Sequence, residues 1–122
     1  CACLVGSEMC IRDRTGTAAR STGTSGTMHL WNADTCQALA DMLRNNVTET
    51  YGQSRFGDLP VCAKSGTAEV GQGKAPHSWF AGFVDSDDLP LAFVALVENG
   101  GGGSAVAGSA AAQVLRTAAE LL

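Results

Sequence analysis

Val61-Cys62-Ala63-Lys64-Ser65-Gly66-Thr67-Ala68 sets the architecture of this chain. Pro60 and the turn formers Gly57-Asp58 punctuate what precedes it, and the run opens on a β-branched side chain, so a strand is predicted. Two further runs read the same way, Ser78-Trp79-Phe80-Ala81-Gly82-Phe83-Val84 and Leu91-Ala92-Phe93-Val94-Ala95-Leu96-Val97. The last is apolar at every position, which predicts cover on both of its faces. Asp85-Ser86-Asp87-Asp88 supplies turn chemistry, so the second and third strands should form a hairpin. These aspartates do not make a calcium loop, because an EF-hand needs a Glu at the twelfth position and Leu96 stands there.

Helices are expected on either side of the strands. Asn32 is a suitable N-cap, and Asp34 suits the positive end of the helix dipole. Cys36, Leu39, Ala40, Leu43 and Val47 then recur at helical spacing, which predicts a helix over 33–50 with Gly52 as its stop. Cys36 falls on that stripe and reads as an inert core thiol. After the strands, Asn99-Gly100-Gly101-Gly102-Gly103-Ser104 leads into a second helix, with Ser104 as the expected N-cap. The loop lacks the Gly-x-x-x-x-Gly-Lys-Ser pattern of a phosphate cradle. Ala107, Ala111, Val114, Leu115, Ala118 and Leu121 form the predicted apolar stripe, and Gly108 implies close packing on a sheet. The fold class is therefore α+β, with three antiparallel strands flanked by helices.

Composition narrows the function. The 122 residues carry eight basic and twelve acidic side chains, a net charge of −4, and only two lysines. No basic cluster is present to neutralise phosphates, so nucleic acid is not an expected partner. No apolar run reaches the roughly 18 to 20 residues of a membrane span, and the first ten residues lack the pattern of a secretory leader. The five cysteines are odd in number and irregular in spacing, which argues against a disulfide framework. Cys1-x-Cys3 lacks the further ligands zinc requires, so no metal and no cofactor are expected.

The first residues read differently from the rest. Leu4-Val5-Gly6-Ser7-Glu8-Met9-Cys10-Ile11-Arg12-Asp13 resembles one reading frame of a transposase-type sequencing adapter, and it follows neither strand nor helix periodicity. Residues 1–14 are accordingly expected to be non-native, with native sequence from Thr15. Residues 15–31 read as a Gly/Ser/Thr-rich loop ending in a weak strand or turn at Met28-His29-Leu30-Trp31. His29 reads as structural, since no carboxylate lies near it in sequence.

The chemistry is concentrated in 64–67. Strand alternation sends Lys64 to one face and Ser65 and Thr67 to the other, while Gly66 admits close approach of another chain. Such an edge suits an added peptide and its terminal carboxylate. On these four residues alone, an ordinary edge strand guarded by a lysine is an equally good reading.

The surroundings separate the two. Ala-Lys-Ser-Gly-Thr-Ala-Glu at 63–69, Pro76-His77-Ser78-Trp79-Phe80-Ala81-Gly82-Phe83, and Val97-Glu98-Asn99-Gly100-Gly101 together resemble the C-terminal part of a class B, monofunctional penicillin-binding protein. The resemblance spans residues 28–122, and Lys64-Ser65-Gly66 matches the third signature of that serine acyltransferase family. It implies the serine β-lactamase/penicillin-binding-protein transpeptidase fold, an antiparallel sheet with helices on both faces. It implies a peptidoglycan D,D-transpeptidase that takes D-Ala-D-Ala stem peptides, is acylated by β-lactams, and works at the outer face of the bacterial cytoplasmic membrane through an N-terminal anchor. The implied roles are positive potential from Lys64, carboxylate binding by the Ser65 and Thr67 hydroxyls, an oxyanion-hole N–H from Thr67, and a flat strand at Gly66. His77, Trp79 and Phe80 are assigned to sheet packing.

Two family motifs are missing. Val61 and Gly71 stand three residues before Lys64 and Lys74, so no Ser-x-x-Lys nucleophile motif exists. No Asn is preceded two residues earlier by Ser, so Ser-x-Asn is absent as well. Residues 15–122 are expected to be an incomplete domain without activity of its own. A serine β-lactamase fragment, a non-enzymatic β-lactam sensor and a stand-alone interaction domain are the other readings. The family's strand order would place 91–97 inside a larger sheet, so the isolated chain is expected to aggregate through that edge, with relief from Lys at Phe93 or Ala95.

Overall fold

A computed structural model of the chain describes residues 9–12, 18–22 and 32–121. The chain divides into two compact units, 1–36 and 37–122. In the first unit, β1 (Met9–Arg12) pairs antiparallel with β2 (Ala18–Thr22), with a register irregularity between Ile11 and Arg12. Both strands correct the sequence reading. They fall where no periodicity and a loop were expected, because backbone pairing orders segments that carry no side-chain alternation. His29 and Met28–Trp31 lie outside the described residues, as do most of residues 1–14.

α1 spans Ala33–Asn45. Its N-cap is the predicted one, since Asn32 Oδ1 accepts the Thr35 N–H at 2.8 Å. The helix ends earlier than predicted. Hydrogen bonding widens to a π-helical pattern over Asn46–Gly52 and then tightens to a 3₁₀ turn over Gln53–Arg55. No residue of α1 proper is buried, whereas Val47 in the wider segment is fully buried. Cys36 is accordingly half-buried rather than a core thiol, and the buried cysteine among the described residues is Cys62.

Three antiparallel strands form the sheet of the second unit, β3 (Val61–Ala68), β4 (His77–Val84) and β5 (Ala92–Val97), with β4 in the centre. Val61 faces Val84, Ser65 faces Phe80, and Phe80 faces Ala95. Val61, Ala63, Phe80 and Val84 form a buried face, with Phe93, Ala95 and Val97 partly buried beside them. Phe80 is its hub. It stacks on Phe56 at 6.0 Å and Phe93 at 6.1 Å, and meets Tyr51 edge-to-face at 5.3 Å.

β5 departs from the expectation of cover on both faces. Phe93, Ala95 and Val97 turn inward, but Val94 is 67% exposed and Leu96 45% exposed. Among the described residues, helix covers only one face of this strand. Uniform apolarity concealed an alternation that the packing makes plain. Lys at Phe93 or Ala95 would therefore enter the core instead of guarding the surface.

α2 (Ala107–Glu120) packs on β4 and β5 through Ala107, Gly108, Ala111, Ala112 and Leu115. A Cβ at Gly108 would lie 3.3 Å from the Phe80 ring, so the close packing read from the sequence is present. The stripe is rotated from the predicted one, and Val114 and Leu121 face solvent. Small residues let the helix sit close, which favours the Ala/Gly face over the bulkier one. Ser104 does not cap the helix. That part falls to Ser78 of β4, whose Oγ accepts the Ala107 N–H at 3.0 Å and donates toward the Gly102 and Gly103 carbonyls, each at 3.1 Å.

Candidate functional site

β3 has β4 on one side only, and among the described residues its other edge meets side chains instead of a strand. Arg44 Nη1 donates to the Val61 carbonyl at 3.2 Å, and Asn46 Nδ2 donates to the Ala63 carbonyl at 3.3 Å. Arg44 also donates to Gln53 Oε1, which ties the guanidinium to the 3₁₀ turn. At Ser65 both backbone groups are engaged. Tyr51 Oη accepts the Ser65 N–H at 3.0 Å, and Lys64 Nζ donates to the Ser65 carbonyl at 2.8 Å.

In an antiparallel ladder, alternate residues turn their N–H and C=O to the same edge. Residues 61, 63 and 65 turn theirs away from β4. Thr67 shares that parity, so its N–H points to the same edge, one step beyond the last side-chain partner. Among the described residues, side chains occupy the Val61, Ala63 and Ser65 carbonyls and the Ser65 N–H, and none reaches the Thr67 N–H.

The side chains predicted to matter lie around that N–H. Ser65 Oγ is 3.0 Å from Tyr51 Oη. Thr67 is exposed, and its Oγ1 accepts the Gly103 N–H at 3.4 Å. Lys64 is exposed on the opposite face, its ammonium folded back over the strand edge. Gly66 lies opposite Trp79, and a Cβ there would come within 3.2 Å of the Trp79 Cβ. The glycine-rich loop lies directly on the strand, because a Cβ at Gly103 would run into the Gly66 carbonyl.

The packing assignments divide. Phe80 is fully buried, as expected. Trp79 is 38% exposed, since it belongs to the uncovered sheet face. His77 Nδ1 accepts the Asn99 N–H at 3.0 Å and anchors the start of the glycine-rich loop.

Tyr51, the sole tyrosine, was not read from the sequence as part of this site. Burial pushes its phenol upward, but the hydrogen bonds from Ser65 and the Lys64 charge outweigh that and hold it below the ordinary phenol value. Arg44 and Asn46 were missed as well. Each acts through contacts 14 to 17 residues away, and no local pattern announces them. Among the described residues, no three His, Cys, Asp or Glu side chains gather where a metal could be held. No helix among them is long and apolar enough to cross a membrane.

An edge with an N–H unpartnered among the described residues, two hydroxyls and an ammonium can take an extended chain that ends in an oxyanion. Residues 15–120 match a family model described as the penicillin binding protein transpeptidase domain. The D,D-transpeptidase domain of peptidoglycan glycosyltransferase from Eggerthella lenta is similar in structure, with a TM-score of 0.67 and 25% identity over 92% of this chain and 26% of that one. Penicillin-binding protein A from M. tuberculosis, solved as an imipenem acyl-enzyme complex, shares the fold, with a TM-score of 0.63 and 20% identity over 91% of this chain and 25% of that one. The chain thus spans about a quarter of the length of these structures. No curated protein matches it.

Proposed function

The chain belongs to the penicillin binding protein transpeptidase domain family, and on that premise we propose that β3 is the substrate-binding edge of a peptidoglycan D,D-transpeptidase. The observation that carries this reading is the edge itself, its carbonyls capped by side chains as far as Ser65 and its Thr67 N–H without a partner among the described residues. A D-Ala-D-Ala stem peptide lies along it in extended form. Its terminal carboxylate is held by the Ser65 and Thr67 hydroxyls under the positive potential of Lys64. The carbonyl under attack points at the Thr67 N–H, one donor of the oxyanion hole. Loss of one such donor costs on the order of 10² to 10³ in rate in hydrolases that use this device.

The reaction needs a serine from outside these residues, because the sequence contains no Ser-x-x-Lys. That serine Oγ bonds to the carbonyl carbon of the penultimate D-Ala, and the C–N bond breaks with release of the terminal D-Ala. An amine of a neighbouring stem peptide then displaces the serine, which recovers its proton as the cross-link forms. A β-lactam acylates the same serine by opening its ring. The site of action is the outer face of the bacterial cytoplasmic membrane.

The test is labelling with a fluorescent penicillin. The longer polypeptide that carries residues 15–122 should take one label on a serine outside them, while the 122-residue chain takes none. An unlabelled longer polypeptide, or a serine adduct on the 122-residue chain, would overturn the proposal.

A further inference from the structure

Tyr51 Oη stands 3.0 Å from the Ser65 amide nitrogen and 3.0 Å from Ser65 Oγ. A phenol has one proton to give, and its oxygen readily accepts one hydrogen bond. Here the Ser65 N–H fills the accepting side. The complementary arrangement has Tyr51 donating its proton to Ser65 Oγ, which leaves the Ser65 proton free for a third partner. The ring cannot drift away from this position, because it sits edge-to-face on the fully buried Phe80.

We infer that Tyr51 is a positioning residue of the binding edge: it turns the Ser65 hydroxyl outward as a donor to the ligand's carboxylate. The inference rests on the transpeptidase reading and deepens it by naming what selects for a carboxylate. Lys64 is the charged side chain that acts on the phenol, and its ammonium repeats the preference for an anion.

The experiment uses the longer polypeptide and two probes, benzylpenicillin as the free acid and as its methyl ester, with acylation rates measured for both. The unaltered protein should prefer the acid. Tyr51→Phe, which keeps the ring, should slow acylation by the acid about tenfold, the worth of one hydrogen bond to a charged group, and leave the ester rate unchanged. In a Ser65→Ala background, Tyr51→Phe should change neither rate. An equal loss for acid and ester would show a structural part only, and an unchanged acid preference in Tyr51→Phe would also overturn the inference, both leaving the transpeptidase reading intact. An unaltered protein that no penicillin acylates would remove that reading and this inference with it.

Discussion

Ser78 Oγ in the central strand accepts the Ala107 N–H at 3.0 Å, so a strand side chain caps the helix that lies across it. The same hydroxyl reaches the Gly102 and Gly103 carbonyls, and Ser78 is fully buried. Replacing it by alanine leaves buried backbone groups without a partner. Ser78→Ala should cost about 1–3 kcal/mol, read as a lowered midpoint in thermal or urea unfolding. A midpoint equal to that of the unaltered chain would remove Ser78 as the cap.

The single tyrosine makes the phenol directly observable. Absorbance at alkaline pH should show Tyr51 titrating below 10.0, and Lys64→Met should move the midpoint upward. The sign for stability follows from the depressed folded value. Tyr51 contributes nothing near neutral pH, and its contribution grows as pH rises through the folded value and levels off above the unfolded one. A midpoint at or above 10.0 would contradict the geometry at Ser65.

Cys62 and Cys36 should differ in reactivity. Burial, then the nearby Asp85 charge, pushes the Cys62 thiol above its ordinary value, and the residue is buried while Cys36 is partly open. Iodoacetamide under native conditions should modify Cys36 first, with Cys62 reacting only on unfolding, as peptide mapping would show. Because the Cys62 value is raised, its stabilising effect is complete below pH 9.0 and is lost as pH rises past that point.

β5 offers a test of surface against core. Val94→Lys changes an exposed position on an apolar face and should raise solubility with little change in unfolding midpoint. Phe93→Lys places a charge beside Phe80 and should destabilise strongly. Equal behaviour of the two variants would refute the inward and outward assignment along this strand.

In the longer polypeptide, Thr67→Pro should reduce penicillin acylation by roughly 10² or more through loss of the donor N–H together with the carboxylate-binding hydroxyl. The ladder to β4 should survive, because that N–H faces the other edge. Lys64→Ala should also slow acylation. Near-normal rates in both variants, with the fold intact, would show that β3 is not the binding edge.

The three-stranded sheet was legible in the sequence to within a residue at each strand, because Gly and Pro punctuate it and the turn chemistry is local, whereas β1 and β2 were not. The side of β5 that faces the core was not, since every residue in that strand is apolar. Asn32 was readable as a cap, being three residues from the N–H it serves, whereas Ser78 was not, being 29 residues from Ala107. The same distinction separates the residues of the candidate site. Lys64 to Thr67 carry a recognisable order, while Tyr51 is defined only by the contact it makes in space. The end of α1 at Asn45 was hidden because Val47 continues the apolar spacing through the π-helical segment.

The outer edge of β3 is held by Arg44, Asn46 and Tyr51, which lie 17, 17 and 14 residues from their partners. Closing loops of this size is entropically cheap, and it does not wait for distant strands to arrive. Contacts of such short sequence separation speed folding. The edge up to Thr67 is thus shaped by one nearly contiguous length of chain.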